Sequence, residues 1–230
     1  MTATSGFLLI DKPEGITSHD VVDRLRGITG IKKIGHAGTL DPFATGLLVL
    51  AIGRESTKKI GDFVKKDKQY IADIQLGAKT DTYDKNGKLT YVKFDKELNE
   101  NKIKKVLFEF MGEIEQIPPM YSAKKVKGVK LYEIAREGIE ITRKPVKIKI
   151  YDIDLLNYDS QTLRIDIKCS SGTYIRSLAN DIGEKLGCGG YLKALRRTAI
   201  GEFTIKQAVS LDALDADNWE DHLFIPANQQ

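Results

Sequence analysis

Gly35-His36-Ala37-Gly38-Thr39-Leu40-Asp41-Pro42-Phe43-Ala44-Thr45-Gly46-Leu47-Leu48 is the stretch from which the rest of the chain is read. Gly35 and Gly38 accept backbone angles that other residues resist, so the loop can fold tightly. Pro42 fixes its own backbone and biases Asp41 toward an extended conformation. The apolar run Leu47, Leu48, Val49, Leu50, Ala51, Ile52 follows at once and predicts a buried strand. Asp41 therefore sits on a loop anchored to the core, where catalytic groups concentrate. In isolation an Asp-Pro pair is an ordinary turn, with His36 and Thr39 as local hydrogen-bonding groups.

Outward from that loop, the N-terminal side begins with Phe7-Leu8-Leu9-Ile10, a buried strand ended by the turn Asp11-Lys12-Pro13-Glu14-Gly15. Thr17 or Ser18 caps a helix whose apolar face is Val21, Val22, Leu25 and Ile28, and Gly27 and Gly30 end it. On the C-terminal side a short helix is expected from Thr57 to Phe63. Tyr70 to Leu76 alternates as a half-buried strand, Asp84 to Gly87 forms a hairpin bend, and Asn99 starts a helix with Ile103, Val106, Leu107 and Phe110 on one face. Pro118-Pro119 breaks regular structure. Lys124, Lys125, Lys127, Lys130, Arg136, Arg143 and Lys144 then crowd in, with Leu131, Ile134 and Ala135 on a short helix. Residues 117–145 are therefore read as an insertion carrying a phosphate-binding surface, against the plainer alternative of a solvated helical hairpin. Val146 to Tyr151 and Leu163 to Cys169 alternate as strands. A helix carrying Ile175, Leu178, Ala179, Ile182 and Leu186 follows, with Arg176 in its first turn. Leu195-Arg196-Arg197-Thr198 leads into a last strand near Glu202 to Ile205. The acidic stretch from Asp212 to Asp221 reads as peripheral.

The chain has 230 residues, 41% hydrophobic and 30% charged, as in a soluble globular protein. A net charge of +4 permits nucleic-acid binding without establishing it. Cys169 and Cys188 have no zinc-site spacing and make no disulfide scaffold. No apolar signal core or membrane-length run occurs, so a cytoplasmic protein with no membrane association is expected. Interleaved strands and helices predict an α+β class with a mixed sheet.

The Asp41 stretch resembles the catalytic loop of the TruB family of tRNA pseudouridine synthases. The likeness continues in order through Lys68-Gln69-Tyr70, Gly77-Ala78-Lys79-Thr80-Asp81-Thr82, Pro118-Pro119-Met120-Tyr121-Ser122-Ala123, Cys169-Ser170-Ser171-Gly172-Thr173-Tyr174-Ile175-Arg176 and Leu195-Arg196-Arg197-Thr198. The resemblance implies the pseudouridine synthase fold: a long, mostly antiparallel mixed sheet flanked by helices, with a catalytic domain over 1–214 and a short acidic tail over 215–230. It implies isomerisation of uridine 55 in the T-loop of tRNA, a reaction that needs no cofactor and no metal; a monomer is expected. Asp41 would be the catalytic carboxylate, Arg176 the guanidinium that keeps it charged, and Tyr70 the ring that stacks on the base. His36 would fill the gap left by the flipped base. Ile175 and Leu195 would line the base slot, Tyr174 would also bind the substrate, and Lys12, Lys124, Lys125, Arg196 and Arg197 would contact phosphates. An extended C-terminal RNA-binding module, common in bacterial members, is not expected here. Two alternatives stay open: a synthase of another RNA such as ribosomal RNA, and a non-catalytic RNA-binding or chaperone protein.

Overall fold

The computed structural model describes residues 5–93, 98–122, 139 and 141–226, and residues 125–126 and 129–130 by their backbone. In chain order the elements are β1 (Gly6–Lys12), α1 (Ser18–Thr29), β2 (Ile34–Ala37), β3 (Thr45–Ile52), α2 (Arg54–Lys59), α3 (Gly61–Lys65), β4 (Lys68–Leu76), β5 (Ala78–Thr80), β6 (Leu89–Tyr91), α4 (Glu100–Phe108) and β7 (Gly112–Gln116). Then come β8 (Lys125–Val126), β9 (Val129–Lys130), β10 (Val146–Tyr158), β11 (Thr162–Cys169), α5 (Ile175–Leu186), β12 (Gly190–Ile200), β13 (Phe203–Thr204) and β14 (Val209–Ser210). The chain divides into two compact units, Met1–Tyr70 with Leu195–Gln230, and Ile71–Ala194. β4 and β12 each contribute residues to both. The class is α+β, as expected.

In the first unit the strand order is β14-β1-β3-β12, with β2 also on β3 and β13 on β12. β1 runs antiparallel to β3 along its whole length, from Gly6 opposite Ile52 to Lys12 opposite Gly46. Both strands are almost continuously apolar and buried, the pattern of strands covered on both faces. One face packs on α1, whose stripe of Val21, Val22 and Leu25 is fully buried. At about 2 kcal/mol per buried aliphatic side chain, that stripe docks a helix too short to persist alone. Thr17 caps α1 through a reciprocal pair of bonds with Asp20, and Gly30 ends it in the left-handed conformation. Gly27 lies inside the helix and does not end it. The opposite face carries Phe7, Phe63, Phe203 and Phe224 as a chain of ring contacts 4.6 to 5.9 Å apart.

Two expectations are corrected in this unit. Residues 195–198, expected to lead into a last strand near Glu202 to Ile205, lie inside the long strand β12, and only the two-residue β13 forms in that range. The acidic stretch is no peripheral tail. Leu211, Leu214 and Trp219 are buried against α1, β1 and β3, and Phe224 exchanges two backbone hydrogen bonds with Phe7 at 2.9 and 3.0 Å. The core of this unit thus reaches past residue 214.

In the second unit the order is β4-β11-β10-β7, antiparallel where β11 meets β10 and β10 meets β7. α4 and α5 touch, and α4 also touches β10. Ile103, Val106 and Leu107 of α4 and Leu178, Ala179 and Ile182 of α5 are buried. β8 and β9 pair as a small ribbon, while the helix expected at Leu131, Ile134 and Ala135 lies outside the described residues. No helix among the described residues is long and apolar enough to cross a membrane.

Candidate active site

Asp41 opens a turn. Its carbonyl accepts the Ala44 N–H at 3.0 Å, with Pro42 at the second position, where a preset φ is favourable. The neighbouring chain grips this turn from three directions. Ser18, at the start of α1, accepts the Leu40 N–H at 2.9 Å and donates its hydroxyl to the Leu40 carbonyl at 3.2 Å. Gly15 N–H donates to the Pro42 carbonyl at 2.8 Å. Lys12, wholly buried, donates its ammonium to the carbonyls of Ile16, Pro13 and Pro42 at 2.6, 2.8 and 3.3 Å. A side chain on a loop fixed by so many backbone bonds keeps its aim.

Arg197 completes the grip. Only 1% exposed, it donates from Nε to the Leu47 carbonyl at 2.7 Å and from Nη2 to the Gly38 carbonyl at 3.0 Å, so it ties both ends of the loop to β12. Gly46 pairs with Arg197 at φ +103°, and a Cβ there would lie 2.3 Å from the Arg197 carbonyl oxygen. Only glycine permits this approach of β3 to β12.

These geometries correct two of the expected phosphate contacts. Lys12 and Arg197 are buried and spend their donors on backbone carbonyls, so they position the Asp41 loop instead of meeting a polyanion. Burial is the main reason the Lys12 pKa is lowered to about 8; the carboxylate of Asp41 acts in the opposite direction, as do Glu14 and Asp20 more weakly. Arg196 is partly exposed and forms a two-pronged ion pair with Asp11 at 2.6 and 3.1 Å. Lys124 lies outside the described residues, as does the side chain of Lys125.

His36 stands on β2 opposite Leu50, half-buried. Its pKa is lowered, first by burial, then by the charge of Arg197 and that of His19. Its Nδ1 is buried without a hydrogen-bond partner. The ring is therefore neutral at pH 7. Tyr70, on β4, and Leu195, on β12, are each 8% exposed.

The second unit holds Arg176, Tyr174 and Ile175. Arg176, in the first turn of α5, donates from Nη1 to Asp84 at 3.3 Å and to the Thr82 carbonyl at 3.4 Å, and from Nη2 to the Tyr121 carbonyl at 2.6 Å. Asp84 is as buried as its partner, and also accepts from the Thr82 hydroxyl and the Asn86 N–H. This buried, hydrogen-bonded ion pair sets the guanidinium plane. Tyr174 is held by buried Gln116, whose amide both accepts the Tyr174 N–H at 2.8 Å and donates to its carbonyl at 3.0 Å. Ile175 is buried. The sequence assigns no role in the site to Asp84, Gln116, Ser18 or Gly46. Asp84 has one signal, a short acidic turn ending in Gly87 that reads as a hairpin bend; Ser18 reads only as a helix cap, Gly46 only as part of the Asp41 stretch, and Gln116 has no signal. Among the described residues no group of three His, Cys, Asp or Glu side chains has metal-site geometry.

Two family models cover most of the chain. One, described as TruB family pseudouridylate synthase (N terminal domain), matches residues 26–175; the other, tRNA pseudouridylate synthase B C-terminal domain, matches 176–224. The chain is 50% identical over 211 residues to a protein named tRNA pseudouridine synthase B from Dehalococcoides mccartyi (strain CBDB1), covering 92% of this chain and 70% of that one. It is 48% identical over 222 residues to the protein of that name from Aquifex aeolicus (strain VF5), covering 95% and 77%. Among solved structures it is similar to a Cbf5-Nop10-Gar1 complex (TM-score 0.69, 31% identity, 90% of this chain and 52% of that chain). It is also similar to an H/ACA RNP bound to a substrate RNA containing 2'-deoxyuridine (TM-score 0.69, 29% identity, 94% and 55%). The chain spans about half the length of these two matched chains.

Proposed function

Because the chain belongs to the TruB family of pseudouridylate synthases, we propose that it isomerises uridine 55 in the T-loop of tRNA to pseudouridine. The bond from the ribose to N1 of uracil breaks, a bond from the same ribose to C5 forms, the C5 proton leaves and N1 gains one. Nothing is oxidised and no group is imported, so the chain's own side chains suffice. The observation that carries the reading is the grip on the Asp41 turn by Ser18, Gly15, Lys12 and Arg197. Pre-set geometry is what a nucleophilic or basic carboxylate needs, because misplacement by about 1 Å can cost on the order of a hundredfold in rate.

Each further side chain has a role in this reading. Tyr70 stacks on the detached uracil and helps to remove the C5 proton. Arg176, aimed by Asp84, is the cationic companion of the catalytic carboxylate, as the family resemblance implies. His36, neutral and half-buried, enters the space left by the flipped nucleotide, whose extrusion costs a few kcal/mol. Tyr174, Ile175 and Leu195 line the base slot.

The test is pseudouridine formation in a T-arm hairpin and in a ribosomal RNA fragment. Product in the hairpin alone supports tRNA as substrate. Product only in the ribosomal fragment transfers the reading to another RNA, and no product with either overturns it.

A further inference from the structure

With Lys12 and Arg197 committed to carbonyls, the Asp41 side of the first unit needs another source of cations if it is to hold RNA. The surface beside His36 supplies one. Lys32 and Lys33 precede β2, Arg54 follows β3, and the register of the two strands brings these segments together: Ile34 lies opposite Ile52, and Gly53 N–H donates to the Lys33 carbonyl at 2.8 Å. Arg26 donates from Nε to the Lys32 carbonyl at 3.1 Å. The backbone carrying the cations is thus tied down while Lys32, Lys33 and Arg54 are exposed. No carboxylate pairs with any of the three among the described residues.

Several other surface cations of the unit are instead taken up by carboxylates. Arg24 pairs with Asp212 and Arg196 with Asp11, each at 2.6 Å, and Lys66 with Glu202 at 2.9 Å. α2 adds Lys58 to the same patch, already paired with Glu55 at 2.8 Å. His36 is two rungs along β2 from Ile34, about 7 Å at the usual strand rise. Cations left unpaired on a fixed backbone, beside a half-buried neutral ring, suit a polyanion that also offers a cavity to that ring.

We propose that Lys32, Lys33 and Arg54 form a phosphate-binding strip that grips the sugar–phosphate backbone of the substrate RNA on the His36 side of the Asp41 loop. The inference rests on the reading of the chain as an RNA-modifying enzyme. It adds contacts at the end of β2 to those expected from the insertion at 117–145.

The experiment compares wild type, a strip variant (Lys32→Gln, Lys33→Gln, Arg54→Gln) and a charge-matched control (Arg24→Gln, Lys66→Gln, Lys206→Gln). Binding of a labelled T-arm hairpin is titrated from about 50 to about 300 mM KCl, where each lost phosphate contact removes roughly 0.7–0.9 from the log–log slope. The strip variant should lose about 2–3 from that slope and on the order of a hundredfold in affinity at about 0.15 M salt, with the control near wild type. A wild-type slope in the strip variant, or an equal loss in both variants, overturns the proposal. Pseudouridine yield from the wild-type samples reports separately on the enzyme reading: no product with a shifted slope overturns that reading and leaves the strip standing.

Discussion

Replacing Lys12 by Met separates a positioning lysine from a phosphate contact. The side chain is wholly buried and donates to three carbonyls. Pro42 keeps the Gly15 N–H after the change, so two carbonyls, of Pro13 and Ile16, lose this donor, at about 1–3 kcal/mol each. Against that, Met removes an ammonium held at a pKa of about 8 instead of 10.5, a cost of about 3 kcal/mol at neutral pH. The two contributions largely offset, leaving a net change between a gain of about 1 and a loss of about 3 kcal/mol at neutral pH, so the melting temperature there shifts by at most roughly 10 °C. The pH dependence is sharper still. The folded pKa lies below the unfolded one, so the unfolded chain binds more protons between about pH 8 and 10.5. Wild-type stability therefore gains a rising contribution across that window, complete above the unfolded value and lost as pH falls through about 8. The Met variant should lack it. Turnover should fall as the Asp41 loop loosens, while RNA affinity holds. The assays are thermal melts of both proteins across that window, with hairpin binding alongside. Parallel pH curves, or weakened binding with an unchanged melt, would refute the assignment.

Three other changes test the supports around the site. Gly46→Ala places a Cβ 2.3 Å from the Arg197 carbonyl at φ +103°; denaturant unfolding should show a loss above about 3 kcal/mol, and near-wild-type stability would mean that β3 and β12 part easily. Asp84→Asn leaves Arg176 buried without its carboxylate, so a loss on the order of 3–5 kcal/mol and a collapse of turnover are expected; an active, stable variant would reduce Asp84 to a bystander. His36 has a folded pKa below its ordinary value, so the stability it confers is full above about pH 6.5 and is lost as pH falls through the depressed value. His36→Ala should flatten that acid-side loss in pH-resolved melts, and an unchanged curve would place the ring in water.

How far the sequence reached depends on what each signal measures. Apolar periodicity located β1, α1, β3, β4, β10 and β11, because a buried face or a buried strand leaves its spacing in the residues themselves. It failed at Leu195-Arg196-Arg197-Thr198, where a polar run sits inside β12 because Arg197 finds carbonyl partners within the fold. It failed again near the C-terminus. There the acids outnumber Leu211, Leu214 and Trp219, yet those three are buried in the core of the first unit. The site divides in the same way. The Asp41 turn is legible because turn chemistry is local. The burial of Lys12 and Arg197 is not legible, because a sequence shows a cation's charge but not whether water can reach it. Asp84 and Gln116 act through residues 92 and 58 positions away, a pairing that only the folded chain creates.

The measurement closest to the central claim is single-turnover pseudouridine formation in a T-arm hairpin by wild type and Asp41→Asn, with hairpin affinity measured for both. The substitution keeps the shape of the side chain and removes its charge. The clamps of Ser18, Gly15, Lys12 and Arg197 act on the backbone of the loop and should hold it in place. The expected result is product with wild type, none above background with Asp41→Asn, and affinities equal within about threefold, because phosphate contacts dominate binding. Product formed by Asp41→Asn at a rate near that of wild type would contradict the account.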